Sequence, residues 1–543
     1  MKTLITIIGF SFILFATSCK KTLEEYNPSG VTAEAVFSTP QGFEALVNAA
    51  YAAQRWWYGK EEGYSISEMG TDIWMSGAGD VYPDLTKYIN LQGTNGALST
   101  EWRELYAAIN LCNAGINRIN DAGLSAAIRI QREAELRFLR SFYYYHVVET
   151  WGGVHFTTTE TEGIISVANK TPVDTFYAQI ISDLQFAVNN LAPTTANYGR
   201  VTKPAAMAFL ARIYLTRGMN AEANAMANAV INGGFGFQLL SNYSDLWRMN
   251  NQQNKEVVYA VNYSANLSFN DLDDDLLNPQ GHSRGSNNGH LLFIMRYDDQ
   301  PGVIRSLEYG RPFNRYMPTR FLLDLFDEQS DARYQASFQE VWLANSTSRP
   351  IGMNIGDTAV YTTKKTLSGT TKYKLYDRNG VYNTNGTVKD NLHYVSLSKF
   401  MDPSRSSINE AQSARDVFVI RFAELYMIAA EAQLKLGRTD SATYFLNVIR
   451  TRAARPNQVQ AMQVTADQVT LDFILDERAR EFAGEQLRWF DLKRTGKLVE
   501  RIKAINPDLA PNIQSFHTVR PIPRSQLDAV TNRSEFTQNE GYQ

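Results

Sequence analysis

Two stretches of the chain place aromatic, acidic and cationic side chains close together in polar, glycine-rich surroundings. In SEMGTDIWMSGAGDVYPDLTKYI, Asp72, Trp74, Asp80, Tyr82 and Tyr88 stand among glycines and follow no clean helical period. In MRYDDQPGVIRSLEYGRPFNRY, the corresponding set is Arg296, Tyr297, Asp298, Tyr309, Arg311, Arg315 and Tyr316. Aromatic rings beside carboxylates and guanidiniums suit a ligand that is flat on one face and hydroxylated at its edge. A sugar ring fits: an aromatic side chain covers its C–H face, while Asp, Asn and Arg bond the hydroxyls in plane. The candidate glycan contacts are therefore Asp72, Trp74, Tyr82, Tyr88, Arg296, Tyr297, Tyr309, Arg311 and Tyr316. Each of them would equally serve packing against a scaffold, so both roles stay open at this point.

Other chemistries have less to build on. A glycoside hydrolase needs two carboxylates facing each other across a cleft, and 56 acidic residues make acid pairs uninformative. The densest acid–base cluster is LDERAREFAGEQLRWFDLKRTG, where Glu477 and Glu481 lie one helical turn apart beside Arg478 and Arg480. That pattern reads as a salt-bridged face or a helix-to-loop lock. The six histidines, His146, His155, His282, His290, His393 and His517, contain no HExxH pair, and neither a GxSxG elbow nor a phosphate-binding glycine loop is present. Asp271, Asp273, Asp274 and Asp275 offer oxygen ligands to Ca²⁺, but without EF-hand spacing or a closing Glu the run reads as a solvated loop. No other metal or cofactor is expected.

The elements that must carry these residues are mostly helical. In QREAELRFLRSFYYYHVVETWGG, Ala134, Phe138 and Phe142 recur every four residues, and Gly152 and Gly153 end the helix. Tyr143 to Tyr145 fall inside it and read as core. Cys112, in ELYAAINLCNAGINRI, reads as a small buried helix residue. An internal repeat runs at a constant offset of 219: Ala211 matches Ala430, Leu215 Leu434, Gly218 Gly437, Ala223 Ala442 and Val230 Ile449. Small residues let antiparallel helices approach and glycine closes the turn, which is tetratricopeptide-type spacing. The distance between the units predicts a mainly α, helical-pair scaffold interrupted by an irregular, loop-rich lobe with short strands such as EVVYAVNY and AVYTTKK. The expected divisions are 1–18, 19–40, 41–237, 238–416 for the lobe, and 417–543 for a second helical region and tail.

The first residues form an export-signal pattern: Lys2, an apolar run over 4–17, then Ser18 and Cys19. That run is shorter than the roughly 20 residues of a spanning helix. Ala16-Thr17-Ser18-Cys19 resembles a bacterial lipobox, with Ala16 where Leu is usual, so Cys19 is the expected lipidation site; simple cleavage after Ala16 or Ser18 is the alternative. With Cys19 set aside, Cys112 has no partner for a disulfide. A net charge of −3 argues against a nucleic-acid surface.

Several further stretches, taken together, resemble the SusD/RagB family of Bacteroidetes outer-membrane lipoproteins. AELRFLRSFYYYHVVETWGGVHF is similar to the family's LRA-x-x-Y-x-x-L-x-x-x-(Y/W)G-x-VP segment, with His155 where Pro is usual. RVTKPAAMAFLARIYL and RFAELYMIAAEAQLKLG resemble two of its helices. ILDERAREFAGEQLRWFDLKRTG resembles its I-x-x-ER-x-x-EL-x-x-EG-x-RW-x-DL-x-R motif, with Phe482 and Gln486 at the Leu and Gly positions. PIPRSQLDAV…EFTQNEGY resembles its PIP…NPGY close, with Glu540 in place of Pro. The resemblance implies a SusD-like scaffold without catalysis, lipid-anchored in the outer membrane and facing outward. It implies capture of oligosaccharide nutrients, with a SusC-like TonB-dependent transporter as partner. Glu24 and Glu25 suit the acidic signal that sends such lipoproteins to the outer leaflet. A peptide-binding protein of the same transport type, or a surface glycoside hydrolase, are the alternatives.

Overall fold

The structure is a computed structural model that describes residues 33–270, 287–369 and 371–542. Cys19, Glu24, Glu25, the aspartates from Asp271 to Asp275 and His282 lie outside the described residues. Within the 19–40 division, residues Ala33–Phe37 form a short helix. Thr39 then caps α1 (Pro40–Ala52), its hydroxyl accepting from the Gly42 amide at 3.1 Å.

The fold is mainly helical, with short strands. The longer helices are α2 (Gly96–Arg118), α3 (Ala126–Trp151), α4 (Val173–Asn190), α5 (Lys203–Thr216), α6 (Asn220–Ile231), α7 (Phe422–Lys435), α8 (Thr439–Ala453), α9 (Leu471–Phe482) and α10 (Arg488–Arg494). α2 packs on α3, α3 on α4, α4 on α5, α5 on α6 and α7 on α8, while α6 and α9 both pack on α7. The repeat visible in the sequence is therefore a physical repeat: α5–α6 and α7–α8 are equivalent hairpins lying side by side. Ala211, Ala223, Ala430 and Ala442 are fully buried where the helices meet. Gly218 and Gly437 turn the chain with φ of 70° and 75°, left-handed values at which a Cβ is unfavourable. Arg212 of α5 ties the two hairpins, donating twice to Glu424 of α7 at 2.7 Å.

The strands are β1 (Trp74–Ser76), β2 (Val257–Val261), β3 (Tyr316–Pro318), β4 (Phe338–Gln339), β5 (Val341–Leu343), β6 (Thr358–Thr362), β7 (Lys374–Tyr376), β8 (Ser396–Leu397) and β9 (Val417–Arg421). They form four small sheets: β1–β3, β2–β9, β4–β8 and β5–β6–β7. The antiparallel β2–β9 pair joins the chain where it leaves the helical layer to where it returns, with Val257 opposite Arg421 and Val261 opposite Val417.

Two main cores result. The larger fills the helical scaffold and contains the Tyr143–Tyr145 run and Cys112, as their spacing predicted. Burial pushes the Cys112 thiol up, so it stays protonated. The second core joins Trp74, Phe293, Tyr297, Tyr316, Trp342 and Tyr394, and includes Ala479 of α9 and Ala483 just after it. Between the cores lies the cluster containing Glu477 and Glu481. Arg333 of the irregular lobe reaches Glu477 at 2.8 Å and Glu481 at 3.1 Å. Arg450 of α8 reaches Glu477 at 2.6 Å, and Arg421 at the end of β9 reaches Glu481 at 3.0 Å. Both glutamates are fully buried. The cluster locks lobe to scaffold, with its main partners on other elements rather than the neighbouring Arg478.

Candidate functional site

The β1–β3 ladder brings the two aromatic stretches together. Trp74 pairs with Pro318 and Ser76 with Tyr316. Beyond the ladder, the Gly77 amide donates to Arg315 O and the Gly79 amide to Asn314 O, both at 2.8 Å. The Asn314 side chain accepts from the Ala78 amide at 3.0 Å. Such close backbones require glycine: a Cβ on Gly79 would lie 2.2 Å from Phe313 O, and one on Gly77 would lie 2.4 Å from Asn314 O. The glycines of the first stretch thus admit the second, which the sequence did not indicate.

Joining the stretches buries most of the residues picked as ligand contacts. Asp72, Trp74, Tyr88, Tyr297, Tyr309 and Tyr316 are all buried, and each has an internal partner. Arg488 and Arg501 hold Asp72 at 2.6 and 2.7 Å; burial raises its carboxyl, but the two guanidiniums outweigh that and lower it. The Trp74 indole donates to Glu68 at 2.7 Å and the Tyr88 hydroxyl to Gly70 O at 2.6 Å. The Tyr297 hydroxyl donates to Gly310 O. Tyr309 accepts from the Leu343 amide at 2.8 Å, and Tyr316 meets Ser65 at 2.6 Å. These six are packing residues in this structure, because none presents a face to solvent. Tyr82 is half-buried and donates to Glu62 at 3.0 Å. Arg311 gives one donor to Asn409 O at 3.0 Å.

Arg296 does line an open cleft. The cleft has a volume of about 280 Å³ and is bounded by Ala78, Gly79, Asp298, Asp299, Arg305, Phe313 and Asn314. Its charges alternate in sign. Arg305 Nε lies 2.5 Å from Asp298 and Arg296 Nε lies 3.7 Å from Asp299. Phe313 is partly buried, packed against the second core, with the guanidiniums of Arg311 and Arg315 each 5.1 Å from its ring centre. Behind Asp299, His393 stacks on Tyr376. Asp299, Arg305, Phe313, Asn314 and His393 were missed as candidates. The arginines two residues either side of Phe313 in RPFNR were the available signal. The arrangement offers guanidinium donors, carboxylate acceptors and one apolar ring within one opening, which suits a polyhydroxylated ligand.

A larger cleft, of about 550 Å³, lies between α2, residues 155–169 and the tail, with Trp102, Tyr106, His155 and Phe536 in its wall. It contains none of the candidate contacts. His155, the residue that departs from the family's proline, accepts there from the Asn169 amide at 3.3 Å. Among the described residues no group of three or more His, Cys, Asp or Glu is placed to hold a metal ion. No helix among them is long and apolar enough to cross a membrane.

Comparison with known proteins agrees with the geometry of the scaffold. The starch-binding protein SusD of Bacteroides thetaiotaomicron is 24% identical over 518 residues, spanning 88% of this chain and 85% of its own. A SusD-like protein of Formosa agariphila is 24% identical over 565 residues, spanning 99% of both chains. Among solved structures, a laminarin-binding SusD-like protein superposes with a TM-score of 0.70 at 22% identity, over 92% of this chain and 99% of the other. Surface glycan-binding protein A from Bacteroides fluxus does so with a TM-score of 0.68 at 19% identity, over 92% and 99%. A family profile described as starch-binding and associating with the outer membrane matches residues 36–215. The SusD family profile matches residues 255–542, more than half the sequence, so the repeated helical pairs, the lobe between them and the ERARE lock are those of a SusD-family protein, and this chain belongs to that family.

Proposed function

We propose that this chain is a non-catalytic surface lipoprotein that captures oligosaccharides in the Arg296–Phe313 cleft and passes them to a SusC-like TonB-dependent transporter. The observation that carries the reading is the cleft itself: an apolar ring flanked by guanidiniums, with two acid–base pairs around one opening, on the fold of a glycan-binding family. Asp298 and Asp299 each face a cation, an arrangement suited to bonding hydroxyls. Lipid on Cys19 supplies the anchor, since each buried CH₂ adds about 0.8 kcal/mol of membrane affinity and two or more chains hold firmly. The modest affinity of ring contact plus a few hydrogen bonds suits capture followed by release.

Titration calorimetry of the full-length protein against a panel of plant, host and microbial glycans, laminarin oligosaccharides among them, tests the binding. At least one glycan is expected to bind, and Phe313→Ala is expected to weaken it about tenfold, the scale of a lost aromatic contact. Silence across the panel together with peptide binding would overturn the glycan reading. Release of new reducing ends by the pure protein would overturn the non-catalytic one. Radiolabelled fatty acid should enter the protein in cells and be lost in Cys19→Ala.

A further inference from the structure

His393 is held on three sides beside the cleft. Its Nδ1 lies 2.9 Å from Asp390 Oδ2, and its Nε2 lies 3.1 Å from Asp299 Oδ1. Its ring stacks on Tyr376 with centroids 4.3 Å apart and planes 14° from parallel. A neutral imidazole donates from one nitrogen only and serves one of these carboxylates; an imidazolium serves both. Burial opposes the charge, but Asp390 and Asp299 outweigh it and raise His393 above the ordinary histidine value.

Asp299 faces the cleft on its other side. Its Oδ2 is 3.7 Å from Arg296 Nε, beyond hydrogen-bond reach, and Arg296 is 59% exposed at the opening. Gln300 completes the setting: its Nε2 donates to Asp299 and lies 2.9 Å from His393 Nε2, to which it can donate only when the ring is neutral, and its Oε1 accepts from the Tyr376 hydroxyl at 2.9 Å. The charged groups around the imidazole are therefore Asp390 and Asp299 in contact, Arg296 beyond Asp299, and Lys374, which sits 5.2 Å over the Tyr376 ring.

We propose that His393 is a positioning residue for this cleft: protonated, it holds Asp299 away from Arg296 and leaves that guanidinium open to ligand. Once the proton leaves, the imidazole donates to one carboxylate only, while Gln300 remains a donor to Asp299. Asp390 keeps the imidazole, because it also accepts the Leu392 and His393 amides at 2.8 and 3.2 Å and is the more fixed of the two. Asp299 turns to Arg296, the guanidinium is occupied, and ligand capture weakens. The inference rests on the proposed glycan-capture function, because it describes the regulation of that same cleft.

Two measurements on the full-length protein test it separately from that reading. In the first, the histidines are isotopically labelled and titrated by NMR, with His393→Gln identifying the His393 signal by its loss. His393 is expected to titrate above the ordinary value of about 6.5 and to fall back toward it in Asp299→Asn. Titration at or below the ordinary value overturns the clamp. In the second, calorimetry repeats the glycan panel at about pH 6 and about pH 9. Affinity is expected to drop about tenfold at the higher pH, the scale of one charged hydrogen bond, and the drop should vanish in His393→Gln. Equal affinity at both pH values overturns the positioning role while glycan capture stands. If no glycan binds at either pH, the capture reading fails and the gating of capture fails with it, even where the NMR arm finds the clamp.

Discussion

Trp74 donates its indole N–H to Glu68 and is fully buried, whereas Phe313 is only partly buried, beside two guanidiniums. Both are aromatic rings among charged residues and turn formers, and residue type alone does not separate them. What separates them is the partner: those of Asp72 and Tyr316 come from far along the chain, Arg488 and Ser65 with Glu61, while Glu68 reaches Trp74 from six residues away across a turn. Polar groups on buried aromatic and acidic residues must be satisfied internally, so a core that uses many of them looks, in sequence, like a binding loop. The consequence is measurable. Trp74→Ala should cost about 3–5 kcal/mol of stability in urea unfolding, the usual range for emptying a buried indole site. Phe313→Ala, at a ring only partly buried against the second core, should cost less, about 1–2 kcal/mol, while weakening glycan binding. Equal losses of stability in the two variants would remove the distinction drawn between them.

At the level of elements, legibility followed the range of the contacts. The two helical hairpins were readable because each is built from local spacing: small residues at the contact, a glycine at the turn and apolar residues every three or four positions. The β1–β3 and β2–β9 pairs were not, because their strands are three to five residues long and meet partners far along the chain, β1–β3 across the first helical region and β2–β9 across most of the lobe. A short strand carries little periodicity, and its partner is chosen by tertiary packing. Two glycine replacements read out the difference. Gly437 has φ of 75° with nothing within 4 Å of an added Cβ, so Gly437→Ala meets only backbone strain, about 1 kcal/mol, and should lower the melting temperature by a few degrees at most. An alanine Cβ at Gly79 would collide with Phe313 O at 2.2 Å and push the two loops apart. Gly79→Ala should therefore abolish ligand binding at a stability cost of about 1–3 kcal/mol, typical of overpacking. Wild-type affinity in that variant would mean that the loop contact does not shape the cleft.

For the whole molecule, buried ionisable groups with opposite shifts set the pH range of stability. Burial raises Glu61 and Glu68 to about 7 and Asp416 to about 6. In the folded state these acids hold protons that the unfolded chain has released, so each stabilises at low pH and loses that contribution as pH rises toward 6–7. Burial lowers His146 and His290 to about 3 and His517 to about 4, where Arg520 adds to the effect. These rings stay neutral when folded, so each loses stability as pH falls below the unfolded value of about 6.5. These acids and histidines oppose one another between about pH 4.5 and 6.5; burial also raises Glu101, Glu340, Asp476 and Asp508 and lowers His155, so the acids outweigh the histidines in that range. Below that range, the buried glutamates join the histidines. Burial alone would raise Glu431 and Glu481, yet Arg494 and Lys435 hold the first near 2, and Arg452, Arg421 and Arg333 hold the second near 2. Their stabilisation is present above the unfolded value of about 4.5 and is lost as pH falls from there to 2, at up to about 1.4 kcal/mol per unit for each group. Stability in urea should thus hold or rise as pH falls from about 6.5 to 4.5 and drop steeply on further acidification. Because Glu481 joins the lobe's Arg333 to Arg421 and Arg452 of the scaffold, the acid transition should release the lobe and the helical pairs together. Glu481→Gln should lower stability at neutral pH, by about 3–5 kcal/mol for a broken buried pair, and make the acid limb shallower. An acid limb of unchanged slope in that variant would place the titrating groups elsewhere and undo the assignment of this lock as the acid-sensitive joint of the fold.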